Sequence, residues 1–96
     1  MIKFAWDSAK NSANIAKHGV SFEQAARIFA GPVVTWIDDW VDNWDHYGEL
    51  REISIGLLDG IAVLVVVHTE RDGETRIISA RRALRHERKL YEQALH

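Results

Sequence analysis

The chain has 96 residues, 47% of them apolar, with no Cys and a formal net charge of −2. That is enough for one hydrophobic core and too little for two, so a single domain over residues 1–96 is expected. The lack of Cys excludes a disulfide framework and thiolate metal sites, and no apolar run reaches the roughly 18 residues of a membrane-spanning helix.

Taken in order, Ile2 to Trp6 alternates as a short strand, without the long apolar region of a signal peptide; the expected compartment is the cytoplasm. Asp7 is placed to cap a helix with apolar positions Ala9, Ala13 and Ile15, and Gly19 to end it. Lys17 and His18 fall in its last turn, where cations meet the negative end of the helix dipole. Ser21 and Gln24 form a capping box for a second helix, whose inward face is Phe22, Ala25, Ala26, Ile28 and Phe29. Gly31-Pro32 stops it.

Val33 to Trp40 reads as a strand. The acidic connection that follows carries Trp40, Trp44 and Tyr47, rings suited either to the edge of the core or to an interface. His46 beside Asp45 has no second ligand pair at useful spacing, so no metal site and no cofactor are expected. Leu50 to Leu58 is the next strand, followed by the turn signal Asp59-Gly60. Ile61 to Arg82 is then a hairpin about Asp72-Gly73, its first strand apolar at both parities and so expected to be covered on both faces. Leu84, Leu90, Tyr91 and Leu95 mark a closing helix over Ala83 to Leu95.

This order predicts an α+β domain: a mainly antiparallel sheet of about four strands, with two N-terminal helices and a C-terminal helix gathered on one face. If both hairpin turns are two residues long, Arg51 stands opposite His68 and His68 opposite Ile77. Glu70 and Arg81 then share that face, and Arg76 and Arg82 lie on the other. A one-residue bulge at the second turn would exchange these sets.

Charge is unevenly spread. Residues 38–52 hold six acids against Arg51, whereas residues 71–96 hold seven Lys and Arg against four acids. A polyanion or an acidic partner would meet the C-terminal third.

Three segments, DSAKNSANIAKHGVSFEQAARIF, GELREISIG and VVVHTERDGETRIISARRALRHERKLYEQAL, together resemble the BrnT family of ribonuclease toxins from type II toxin–antitoxin systems. The resemblance implies a RelE-like fold and a small endoribonuclease that halts growth by cutting RNA. It further implies a cognate ribbon-helix-helix antitoxin, with operator DNA bound only through the antitoxin complex.

The residues offer matching chemistry. Metal-free RNA cleavage uses the substrate's own 2′-hydroxyl, and needs proton transfer and positive charge for the phosphorane. His68 and Glu70 are candidate proton-transfer groups, Arg51, Arg76 and Arg81 candidate phosphate ligands, and Lys17, His18, Arg82 and Arg85 candidate RNA-binding cations. Against this stands the plain alternative that His68 ends a core strand and the arginines form edge ion pairs. A non-catalytic nucleic-acid-binding or interaction module using the basic C-terminal face is the other class left open.

Overall fold

The computed structural model describes residues 2–38 and 50–95. The ring-bearing connection from Trp40 to Tyr47, His46 within it, and the far end of the strand expected from Val33 lie outside the described residues. The elements are β1 (Phe4–Ala5), α1 (Ser8–His18), α2 (Phe22–Arg27) with a 3-10 turn (Ile28–Ala30), β2 (Val33–Ile37), β3 (Arg51–Leu58), β4 (Ala62–Arg71), β5 (Glu74–Arg82) and α3 (Arg85–Ala94). The strands form one sheet in the order β1-β5-β4-β3-β2. β1 runs parallel to β5 and the other pairs are antiparallel, so the described sheet is mixed and five-stranded rather than four-stranded. A two-residue strand carries too little pattern to reveal its distant partner.

Local chemistry sets the helix ends. Asp7 accepts the Lys10 N–H at 3.0 Å, and Gly19 closes α1 at a φ of 70°, a left-handed conformation that glycine adopts without strain. Ser21 and Gln24 cap α2 reciprocally. The inward face of α1 departs from the apolar pattern, because Ala9, Ala13 and Ile15 are exposed and Asn14 is buried. Asn14 donates to the carbonyls of Val20 and Ala80, both at 2.8 Å, and accepts the Ala80 N–H at 3.2 Å. Asn11 accepts the Phe22 N–H at 2.8 Å. Side-chain amides, more than apolar area, bind α1 to β5 and to the start of α2.

Helices cover both faces of the sheet, which corrects the expectation of one. Phe22, Ala25 and Ile28 pack on Leu64, Val66, Ile77 and Ala80, with Phe4, Trp6 and Phe29 at the margin. On the opposite face, Tyr91 of α3 covers Ile55 and Val65 and donates to the Pro32 carbonyl at 2.9 Å. β4 therefore contributes to a core on each side, as its unbroken apolar run implied. Of the four residues marking α3, only Tyr91 is buried; Leu84, Leu90 and Leu95 are exposed.

Two one-residue steps set the register. The Asp72-Gly73 turn is tight, both residues have positive φ, and Arg71 pairs with Glu74 as expected. At the other hairpin Leu58 pairs with Ala62, leaving Asp59, Gly60 and Ile61 in the turn. Arg51 thus stands opposite Thr69, and Glu52 takes the place opposite His68. A reason lies in Gly56, where an added Cβ would come within 2.8 Å of Val33 and 3.1 Å of Ile28. Only a residue without a side chain fits there, while its neighbour Ile55 fills the core beneath Tyr91. The second step is a bulge on β5: His68 pairs with Ile77, but Val67 pairs with Ser79. Beyond it Arg81 is opposite Val65 and Arg82 opposite Leu64, so the two arginines exchange the faces first expected of them.

Replacing Asn14 with Ala leaves two carbonyls and one N–H without partners in a buried site. We expect a stability loss of roughly 2–4 kcal/mol by chemical denaturation. A change below about 0.5 kcal/mol would show that α1 is held by something else.

Candidate functional site

The two steps regroup the charged residues. Arg51, Thr69 and Arg76 form one cross-strand row over β3, β4 and β5, on the α3 side of the sheet. Opposed residues share a face with Cβ atoms about 5 Å apart, so the two arginines rise on either side of Thr69. Both are half-buried. Thr69 is buried and donates to the Leu50 carbonyl at 2.7 Å, which fixes the chain where it enters Arg51. The Arg76 charge reaches Asp7, whose carboxyl lies below the usual range chiefly because it accepts the Lys10 N–H.

Arg81 lies on the same face, further along β5 opposite Val65, and its guanidinium is engaged. It donates to both carboxylate oxygens of Glu87, at 2.7 and 2.8 Å. Glu87 also accepts the Leu84 N–H at 2.8 Å, so one carboxylate ties β5 to the first turn of α3. The bond holds the Glu87 carboxyl below and the Arg81 guanidinium above their ordinary values.

His68 and Glu70 stand on the opposite face from these arginines. The expectation that Arg51 and Arg81 face His68 is therefore corrected. His68 is 4% exposed, with its ring edge-on to Phe29 at a centroid distance of 5.2 Å. Its Nε2 is 2.7 Å from Ser54 Oγ, which lies 2.7 Å from Thr35 Oγ1. Among the described residues Nδ1 has no hydrogen-bond partner, and it is 3.9 Å from Glu70 Oε1. Burial pushes the imidazole pKa down, while the carboxylates of Glu52 and Glu70 oppose that shift. Thr75 donates to Glu70 Oε1 at 2.8 Å. One donor atom each from Glu52, His68 and Glu70 fall within 4.8 Å of one another, a grouping that the sequence reading did not find. Its signal was the alternation His68-Thr69-Glu70 on a strand, which puts the outer two side chains on one face.

The candidate RNA-binding cations are dispersed. Lys17 is exposed and His18 half-buried at the end of α1, and Arg85 is exposed in the first turn of α3. Arg82 is exposed and, with Arg88, borders a cleft of about 200 Å³ beside Ile61, Val63 and Ala83. No described helix is long and apolar enough to cross a membrane.

The fold has a solved counterpart. It is similar to the crystal structure of the Brucella abortus ribonuclease toxin BrnT, with a TM-score of 0.64 and 25% identity over 88% of this chain and all of that one. Comparison with curated proteins finds no match. Residues 6–87 match the family described as the ribonuclease toxin BrnT of type II toxin–antitoxin systems, and the chain belongs to that family. Membership decides between the two classes left open by the residues in favour of an endoribonuclease toxin, and implies an RNA substrate and an antitoxin partner.

The Arg81–Glu87 pair supports a prediction of its own. Because its folded pKa is depressed, Glu87 contributes stability above the ordinary carboxylate range, and that contribution is lost as pH falls through the depressed value. At neutral pH, Glu87→Gln should cost about 1 kcal/mol, a modest figure because the pair is partly exposed to solvent. The difference from the parent chain should shrink in acid, as read by thermal melts across pH.

Proposed function

We propose that the chain cleaves RNA without a catalytic metal, by attack of the substrate's 2′-hydroxyl on the adjacent phosphate, with Arg51 and Arg76 as the groups that hold that phosphate. What carries this reading is the row Arg51–Thr69–Arg76, in which two planar forks flank a small buried residue on the α3 side of the sheet. Guanidinium groups on either side of one phosphate neutralise the charge that accumulates as the fifth oxygen bonds to phosphorus. The same field favours loss of the 2′-hydroxyl proton to water; as the 2′-oxygen bonds to phosphorus the P–O5′ bond breaks, the 5′-oxygen takes a proton from water, and a 2′,3′-cyclic phosphate is left. His68 and Glu70 stand on the opposite face, so in this reading neither touches the reacting phosphate. Arg81 acts as a positioning residue through Glu87, and Lys17, His18, Arg82 and Arg85 bind the flanking backbone by charge alone.

The partner we propose is a ribbon-helix-helix antitoxin, which restrains growth inhibition by the toxin and carries the complex to operator DNA. α3 suits such a partner: Leu84 and Leu90 are exposed beside Arg85, Arg88 and Lys89, an apolar anchor among cations. Reversing the charges of Arg85 and Arg88 should slow antitoxin association and flatten its salt dependence. Unchanged kinetics by surface plasmon resonance would place the interface off α3.

Catalysis is tested with Arg51→Lys and Arg76→Lys, which keep the charge and lose the fork. Each should lower the cleavage rate by about two orders of magnitude or more, with the thermal midpoint within a few degrees of the parent. The parent should cut RNA in EDTA and leave DNA intact, since deoxyribose lacks the nucleophile. Full activity in both folded variants would move the phosphate site away from this row.

A further inference from the structure

We propose that Glu52, His68 and Glu70 form a binding site for a single divalent transition-metal ion of the zinc type, on the sheet face opposite the arginine row. The donors come from two adjacent strands. Glu52 is directly opposite His68, and Glu70 lies two residues further along β4 on the same face. One donor atom from each residue lies within 4.8 Å of the other two.

The histidine carries the argument. His68 is 4% exposed and its buried Nδ1 has no hydrogen-bond partner among the described residues, lying 3.9 Å from Glu70 Oε1. Burying an imidazole nitrogen without a partner is unfavourable, and a cation there would remove that cost. Nε2 is already occupied at 2.7 Å from Ser54 Oγ, itself joined to Thr35. When Nε2–H donates to Ser54, the Nδ1 lone pair points toward the carboxylates. An outer N–H anchored to oxygen and an inner nitrogen facing the ion is the arrangement that orients ligating histidines.

The charge and dimensions agree. Two carboxylates and a neutral imidazole present two negative charges to a dication. Zinc–oxygen and zinc–nitrogen bonds of about 2.0–2.2 Å set donors roughly 3.5 Å apart, so the group needs to contract by about an ångström. Glu70 has the freedom to make that movement, its side chain being 56% exposed. Imidazole with carboxylates suits zinc and its first-row neighbours better than magnesium, which prefers an all-oxygen shell.

The consequence is mechanical. Glu52 adjoins Arg51, and Thr69 lies between His68 and Glu70, so an ion here would pin β3 to β4 directly behind the arginine row. This inference stands on the strand geometry and does not rest on the ribonuclease reading.

The test is calorimetric titration of the folded full-length chain with Zn²⁺, with Mg²⁺ in parallel, together with thermal melts. We expect one zinc site of micromolar affinity or tighter, a raised thermal midpoint, and Mg²⁺ binding at least a hundredfold weaker. Glu52→Gln and Glu70→Gln, which preserve shape, should each weaken zinc binding at least tenfold. His68→Gln should abolish it; should that variant fail to fold, the two carboxamide variants carry the test. No stoichiometric zinc binding overturns the proposal, as does zinc affinity unchanged in both carboxamide variants, which would assign the ion to other groups. Cleavage assayed separately in EDTA reports on the arginine row alone, so the two readings fail independently.

Discussion

The bulge between Val67 and His68 is the constraint on which the arrangement of this molecule depends. Without it, β5 would continue in the register set at the Asp72-Gly73 turn, and Arg81 would point among the α1 and α2 side chains. With it, Ala80 meets Asn14 beneath α1 while Arg81 turns to the other face and finds Glu87. One inserted residue thus satisfies a buried amide on one side of the sheet and an ion pair on the other. Bulges that re-aim side chains near functional sites are features of a design, and here the re-aimed residue fastens a helix.

Much of this was legible in the chain. The Asp7 and Ser21 caps, the Gly19 stop, the Asp72-Gly73 turn, the position though not the length of the Asp59-Gly60 turn, and the two-sided burial of β4 follow from local chemistry that tertiary structure did not override. The site was less legible, because its face assignments depend on parity. A single extra residue in the Asp59-Gly60-Ile61 turn moved Arg51 from the His68 face to the Thr69 row, and the bulge moved Arg81 likewise. Neither step has a local signature; each is set by contacts from elsewhere, such as Ile28 against Gly56. α1 was less legible for another reason, since its apolar positions Ala9, Ala13 and Ile15 are exposed and its contact with the sheet is made by asparagine.

The two faces divide the chemistry of the molecule. One bears cations around a small buried threonine, and the other bears carboxylates around a buried imidazole. Each pair of neighbours in sequence, Arg51 with Glu52 and Thr69 with Glu70, sends one member to each face, because alternation along a strand allows nothing else. The Glu52 and Glu70 carboxylates are thereby separated from Arg51 and Arg76 by the thickness of the sheet, while on the arginine face the Glu87 carboxylate is held by Arg81. This separation lets a chain of negative net charge present a locally positive surface to a polyanion.

The closing contacts of the fold join its two ends. The Thr75 N–H bonds to the Lys3 carbonyl at 2.8 Å, and Asn14 reaches Ala80 across 66 positions in the chain. A nascent chain has neither contact until Thr75 and Ala80 have left the ribosome, whereas α1 and α2 emerge before them with their caps already encoded. Ordering of the arginine row also waits, because Arg51 and Arg76 are neighbours only after β4 and β5 have folded back on β3. The fold therefore waits for β5 to be made, and a product of a stalled or broken message that stops before it would lack the strand that brings its cations together.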